Sequence, residues 1–133
     1  MGIYYYALNE FARINYDGAE KHLIHLMSHL LKFEYQPERQ GVSWINTIKE
    51  GFNVVNLNIT NTNIKNKLYN NIDKIYIKAK KEAENETGHK ITFPNYTPYN
   101  LDDILNKDYL ENLLIKLSRD DKIKQTIIIG FNK

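Results

Sequence analysis

One stretch constrains this chain more than any other. Residues His22 to Trp44 read HLIHLMSHLLKFEYQPERQGVSW, with Leu23, Leu26, Met27, Leu30 and Leu31 recurring at intervals of one, three and four. That is the spacing of one face of an α-helix. An apolar face of this width must be buried, so the stretch predicts a helix over 17–34 that packs on others. Asp17 stands where an N-cap would, with Glu20 three residues on as its capping-box partner. Lys21, Ser28 and Lys32 fall on the opposite side of the helix. Pro37 requires the helix to stop before it, because the residue preceding proline is pushed out of the helical region. Gln36 to Gly41 then form a connection.

Further helices follow by the same periodicity. Trp44, Ile48, Phe52 and Val55 predict a helix over 44–58, capped by Ser43. Ile64, Leu68, Ile72, Ile75, Ala79 and Ala83 predict one long helix over 63–86, started by Thr60 or Thr62 and ended by Gly88. The small Ala79 and Ala83 would admit a close neighbour. HKITFPNYTPY, residues 89–99, has two prolines and no period, and reads as a surface loop. Asn100 caps a short helix, LDDIL, and 107–118 form another, with Leu110, Leu113, Leu114 and Leu117 inward. Residues 3–14 suit a helix through Tyr4, Leu8 and Phe11. The tail run QTIIIGF, 125–131, is strand-like. A lone strand needs a partner, which the N-terminal IYYYAL or a second copy's tail would supply, making a small β pairing or a homodimer.

The chain of 133 residues predicts a single domain over 1–133, an all-α compact bundle of four to six helices. It has no cysteine, which excludes structural disulfides and cysteine-rich zinc sites and suits a cytoplasmic protein. No signal peptide and no membrane span are expected. A net charge of +2 argues neither for nor against nucleic acid. Abundant Lys, Asn and Ile read as the mark of an AT-rich genome.

Taken together, several segments carry a resemblance. His22-Leu23, His29-Leu30-Leu31-Lys32-Phe33, Tyr35-Gln36-Pro37-Glu38 and Ser43-Trp44 form a first block. Tyr76, Ala79, Ala83, Glu86-Thr87-Gly88, Phe93-Pro94 and Pro98-Tyr99 form a second. Leu101 to Leu105 with Tyr109-Leu110 close the pattern. In order and spacing these resemble the domain of unknown function 29 family, small helical bacterial proteins common in cyanobacteria, over roughly 17–112. The N-terminal segment is shorter than is usual there, and the tail from about 115 lies beyond the pattern. The resemblance implies an all-helical bundle and no chemistry.

Four sets of residues compete for a functional role. His25 and His29, spaced i, i+4, would share a metal ion as helical histidine pairs do. His22 and His29 are the two that match the family, but they lie seven residues apart, about 10 Å along the axis, too far to share one ion easily. The plainer role of His22 and His29 is as half-buried ring donors to the neighbouring turn or to Glu38 or Glu86. Tyr35, Gln36, Glu38 and Arg39 at the first corner, with His22 and Trp44, would rim a ligand pocket. Equally, Pro37 would set a bend that Tyr35 and Trp44 fill from beneath. Glu82 and Glu86 end the third helix, where the macrodipole disfavours carboxylates, so a histidine or Arg39 is expected to pair with them. His29 and Glu86 are the catalytic candidates. Lys74, Lys78 and Lys81 head six lysines between 65 and 81, set against Asp73 alone, and would contact phosphates or simply face solvent.

No phosphate-binding glycine loop, nucleophile elbow or dinucleotide fingerprint is present. The expected function is therefore a binding or regulatory module acting through an unidentified protein partner, in a mobile-element, toxin–antitoxin or defence setting. The alternatives are a small metal-assisted phosphodiesterase or nuclease using the helix histidines, and nucleic-acid binding through the basic helix. No resident cofactor is expected outside the metal alternative. Either a monomer or a homodimer fits.

Overall fold

A long first helix carries the rest of the chain. In this computed structural model, which describes residues 2–132 and the side chains of 13–132, α1 spans Gly2–Tyr35. Helices α2 (Val42–Asn58), α3 (Thr62–Asn70), α4 (Ile72–Glu86), α5 (Leu101–Ile104), α6 (Lys107–Leu117) and α7 (Asp121–Phe131) follow, with a 3-10 turn at Pro37–Arg39. The fold is all-α, and among the described residues there is no strand. No described helix is long and apolar enough to cross a membrane.

The stripe of α1 forms the centre of the core: Leu23, Leu26, Met27, Leu30, Leu31 and Phe33 are completely buried. Two helices cover it. α2 returns antiparallel, and Gly51 allows the close approach. A Cβ at Gly51 would stand 3.3 Å from Leu26 Cβ and 3.5 Å from the His22 carbonyl oxygen. α4 runs alongside in the same direction as α1, with Ala79 and Ala83 fully buried as their size predicts. α6 and α7 pack on each other, and α7 on α2.

Several boundaries differ from the sequence expectations. Asp17 does not cap a helix, since α1 runs through it, and it pairs instead with Arg13 at 3.7 Å. The inward positions assigned to Tyr4, Leu8 and Phe11 lie outside the described side chains. α2 begins at Val42 after Gly41, so Ser43 lies inside it and does not cap it. Asn61, not Thr60 or Thr62, caps α3, accepting from the Ile64 amide at 3.0 Å. The long helix expected over 63–86 is broken at Asn71. Its side chain bonds back to the Lys67 carbonyl at 2.8 Å and to the Tyr16 hydroxyl at 3.2 Å, which competes with helix continuation. Gly88 ends α4 as expected, at φ +68. The His89 amide donates to Glu84 O at 2.9 Å and the Gly88 amide to Asn85 O at 3.4 Å, a Schellman closure.

The tail is the largest correction. QTIIIGF is helical, within α7, and no β pairing of the termini is present among the described residues. Asp120 caps the helix by accepting from the Ile123 amide at 2.9 Å. Ile123, Ile127 and Phe131, spaced by four, are buried together. The β-branched run has strand propensity, but packing against α2 and α6 overrides it. A tail helix and the break at Asn71 each add one helix to the six expected, and the merging of the expected 3–14 and 17–34 helices into α1 removes one, so the described helices number seven.

Candidate functional site

Some of the polar residues singled out by sequence, His25, Lys78, Glu82 and Glu86, meet along the α1–α4 seam. Because the two helices run in the same direction, their pairs step along in register. Lys78 Nζ lies 3.5 Å from Glu20, His25 Nδ1 is 2.8 Å from Glu82 Oε1, and the Lys32 amine donates to Glu86. Of the partners expected for the two acids, a histidine or Arg39, the histidine is found at Glu82, where His25 sits, while Glu86 is paired by Lys32 instead and Arg39 takes no part in either contact. Lys32 is not on a solvent face. It is 4 % exposed, with its ammonium 5.5 Å from the centroid of the half-buried Trp44 ring. α4 covers the side of α1 that the stripe alone leaves open.

Hydrogen bonding sets the histidine tautomers. His22 Nδ1 lies 3.0 Å from Gly18 O, and His29 Nδ1 2.9 Å from His25 O. Carbonyl oxygens only accept, so each Nδ1 carries the proton. His29 Nε2 then accepts from the Lys32 ammonium at 3.4 Å, so His29 is neutral in this arrangement. The candidate pair His29 and Glu86 is thus brought together, with the Lys32 amine bonded to both. Burial holds the His29 imidazole below its ordinary value. The neighbouring Lys32 charge lowers it further, against the opposing effect of its hydrogen bond to His25 O.

A pH dependence follows. The unfolded imidazole protonates near pH 6.5, while the folded one resists protonation until lower pH. His29 therefore contributes stability above about pH 6.5 that is lost as pH falls through its folded value. Urea unfolding between pH 7.5 and 5 should show a shallower decline for His29→Gln than for the parent. Lys32→Met should keep stability within about 1 kcal/mol, since an apolar side chain replaces a buried ion whose partner Glu86 is half-exposed. In that variant the His29 ring resonances should titrate at higher pH; an unchanged midpoint would show that the lysine charge does not act on the ring.

The first corner is held by buried amide chemistry. Gln40, 3 % exposed, donates through Nε2 to Phe33 O at 2.7 Å and Leu117 O at 2.8 Å, and its Oε1 accepts from the Arg119 amide at 2.8 Å. Arg119 Nη1 donates to Pro37 O at 3.3 Å and Glu38 O at 2.8 Å. The turn is thus clasped from the α6–α7 junction. Tyr35 stands edge-on to Phe93 with ring centroids 5.4 Å apart. Glu38 and Arg39 are exposed, and Gln36 is half-buried. His22 and Trp44 are also half-buried, so the six proposed binding residues are spread along the seam and its corner.

Among the described residues no group of three or more His, Asp or Glu comes together as a metal site. A metal held by His25 and His29 would use their Nε2 atoms, and the one on His29 already faces an ammonium. Two buried oxygens at the seam, Ser28 Oγ and Glu82 Oε2, have no hydrogen-bond partner. The six lysines do not form one stripe. Lys65 pairs with Asp102 at 2.7 Å, Lys67 sits 4.1 Å over the Tyr16 ring, Lys78 reaches Glu20, and Lys80 donates to Asn95 at 3.0 Å. Lys74 and Lys81 lie exposed on α4.

A second feature was not singled out by the sequence. On the outer face of α2, Phe52, Asn53, Asn56 and Leu57 meet Leu105 around an open groove of about 610 Å³. An adjoining hollow of about 270 Å³ shares Phe52 and Asn53 and is completed by Lys49, Lys107 and Phe131. Asn56 ties the walls together, its amide donating to Phe52 O at 3.0 Å and Leu105 O at 3.3 Å. Leu57 is 77 % exposed. The available signal was Leu57 itself, an apolar residue off the Trp44–Ile48–Phe52–Val55 stripe, beside asparagines attributed to base composition.

The family model described as Domain of unknown function DUF29 matches residues 7–110. That match begins ten residues before the resemblance read over 17–112, and it leaves α7 outside. No curated protein and no solved structure matches the chain.

Proposed function

The chain belongs to the Domain of unknown function DUF29 family, and from that premise we propose that it is a protein-binding module of the cytoplasm, whose contact surface is the groove on α2. One observation carries this. The titratable residues that chemistry would recruit are occupied in joining helices, whereas Leu57, Phe52 and Leu105 border an open groove with Leu57 77 % exposed. A small-molecule site buries most of its ligand, about 70–90 % of its surface. A groove bordered by so exposed a side chain suits a segment of another protein, laid in through apolar anchors.

The test is site-specific photocrosslinking in the native host. A photoreactive phenylalanine at Asn53 should give an adduct with another polypeptide, and Leu57→Arg should abolish it. The same group at Asn85, exposed on α4, should give none. An equal adduct at Asn85 would sink the proposal. So would an adduct of twice the chain's own mass, which would assign the groove to a second copy.

A further inference from the structure

We infer that the groove takes an acidic, apolar protein segment, one with carboxylates a few residues from its aliphatic or aromatic anchors; this rests on the binding-module reading above. The two adjoining hollows are chemically different. The larger is walled by Phe52, Leu57 and Leu105, with Asn53 and Asn56 as its polar members. The smaller has two lysines, Lys49 and Lys107, beside Phe52 and Phe131. No carboxylate lines either one. A segment lying across both therefore meets an apolar wall at one end and two ammonium groups at the other.

The two lysines differ in how far they are already used. The Lys49 amine donates to the Gly130 carbonyl near the C-terminal end of α7, which offsets that helix's negative pole while leaving the net charge at the groove. Lys107 is exposed and occupies the first position of α6. A cation there opposes the positive end of the helix dipole, so it gains nothing from its own helix. Asp108 follows in the same turn but does not line the hollow. A partner carboxylate seated at this end would complement Lys107, Lys49 and the α6 terminus together. Such rim charges act chiefly on partner choice and on-rate.

The experiment is a selection of random dodecapeptides displayed on phage against the full chain, followed by fluorescence anisotropy on the leading peptides. Peptides carrying Asp or Glu near Leu, Ile, Phe or Trp are expected. Their affinity should drop about five- to tenfold with Lys107→Glu, fall with added salt, and recover when the peptide's acids are changed to lysine. Lys107→Glu leaves the fold intact, because an acid is favoured at a helix start. Peptides that lose binding with Leu57→Arg, yet lack carboxylates or ignore Lys107→Glu, would overturn the acidic-segment inference and leave the groove as a binding surface. Peptides indifferent to Leu57→Arg would overturn both.

Discussion

Gln40→Ala should lower the stability of the protein by about 2–4 kcal/mol. Few single side chains here satisfy so many groups. The Gln40 amide serves two carbonyls and one backbone amide across the α1 end, the 3-10 turn and the α6–α7 junction. Each of these groups, once orphaned, costs about 1–3 kcal/mol if it stays buried. Water reaching the Leu117 and Arg119 side, which is only part-buried, offsets some of that, which sets the range. Gln40→Glu separates this mechanism from simple loss of volume. A carboxylate still accepts from the Arg119 amide but donates to neither carbonyl. It should therefore be at least as damaging as alanine at neutral pH, although its size is kept. Equilibrium urea unfolding with an exposed control, Asn46→Ala, measures both. A Gln40→Glu variant as stable as the parent would show that the two donated bonds contribute nothing.

Gly51→Val should cost about 3 kcal/mol. The glycine lies at the crossing of α1 and α2, and its would-be Cβ meets Leu26 Cβ and the His22 carbonyl oxygen. Neither atom is the free end of a flexible side chain, so relief requires the helices to part. Even Gly51→Ala should be net destabilising, despite gaining about 1 kcal/mol in helix propensity. Parted helices would also loosen Leu23, Leu26 and Ile48, which are completely buried. The effect should therefore appear as a lower urea midpoint with the slope kept, and a rise in stability for alanine would mean that the crossing has room to spare.

The same crossing shows how much was legible beforehand. The apolar stripes over 17–34, 44–58 and 107–118 are helical as their spacing predicts, and so is 63–86 in all but its continuity, because its stripe runs on through the break at Asn71. The stop at Pro37 and the turn at Gly88 followed from backbone sterics local to those residues. These are properties of the chain itself, independent of what packs nearby, and so is the family match over 7–110. The partners were only half legible. A histidine partner near the end of α4 follows from the sequence and is found in His25 on Glu82, but the position of Lys32 opposite the apolar stripe carries no sign of its pairing with Glu86.

What the tertiary structure alone decided is the environment of each polar group and the fate of weakly patterned runs. Lys32 is buried because α4 lies alongside α1, a fact of packing that one helix's periodicity does not contain. QTIIIGF became helical because Ile123, Ile127 and Phe131 find a core only in that form. At the break in 63–86, the Asn71 amide bonds locally to Lys67 O and also to the hydroxyl of Tyr16, fifty-five residues away in sequence, and only the first of these partners lies in the same sequence window. The groove is formed by side chains of α2, the α5–α6 junction and α7, and no sequence window holds all three. Local sterics and periodicity are written along the chain. Burial, pairing and surface shape arise between segments, so they were settled only when the helices came together.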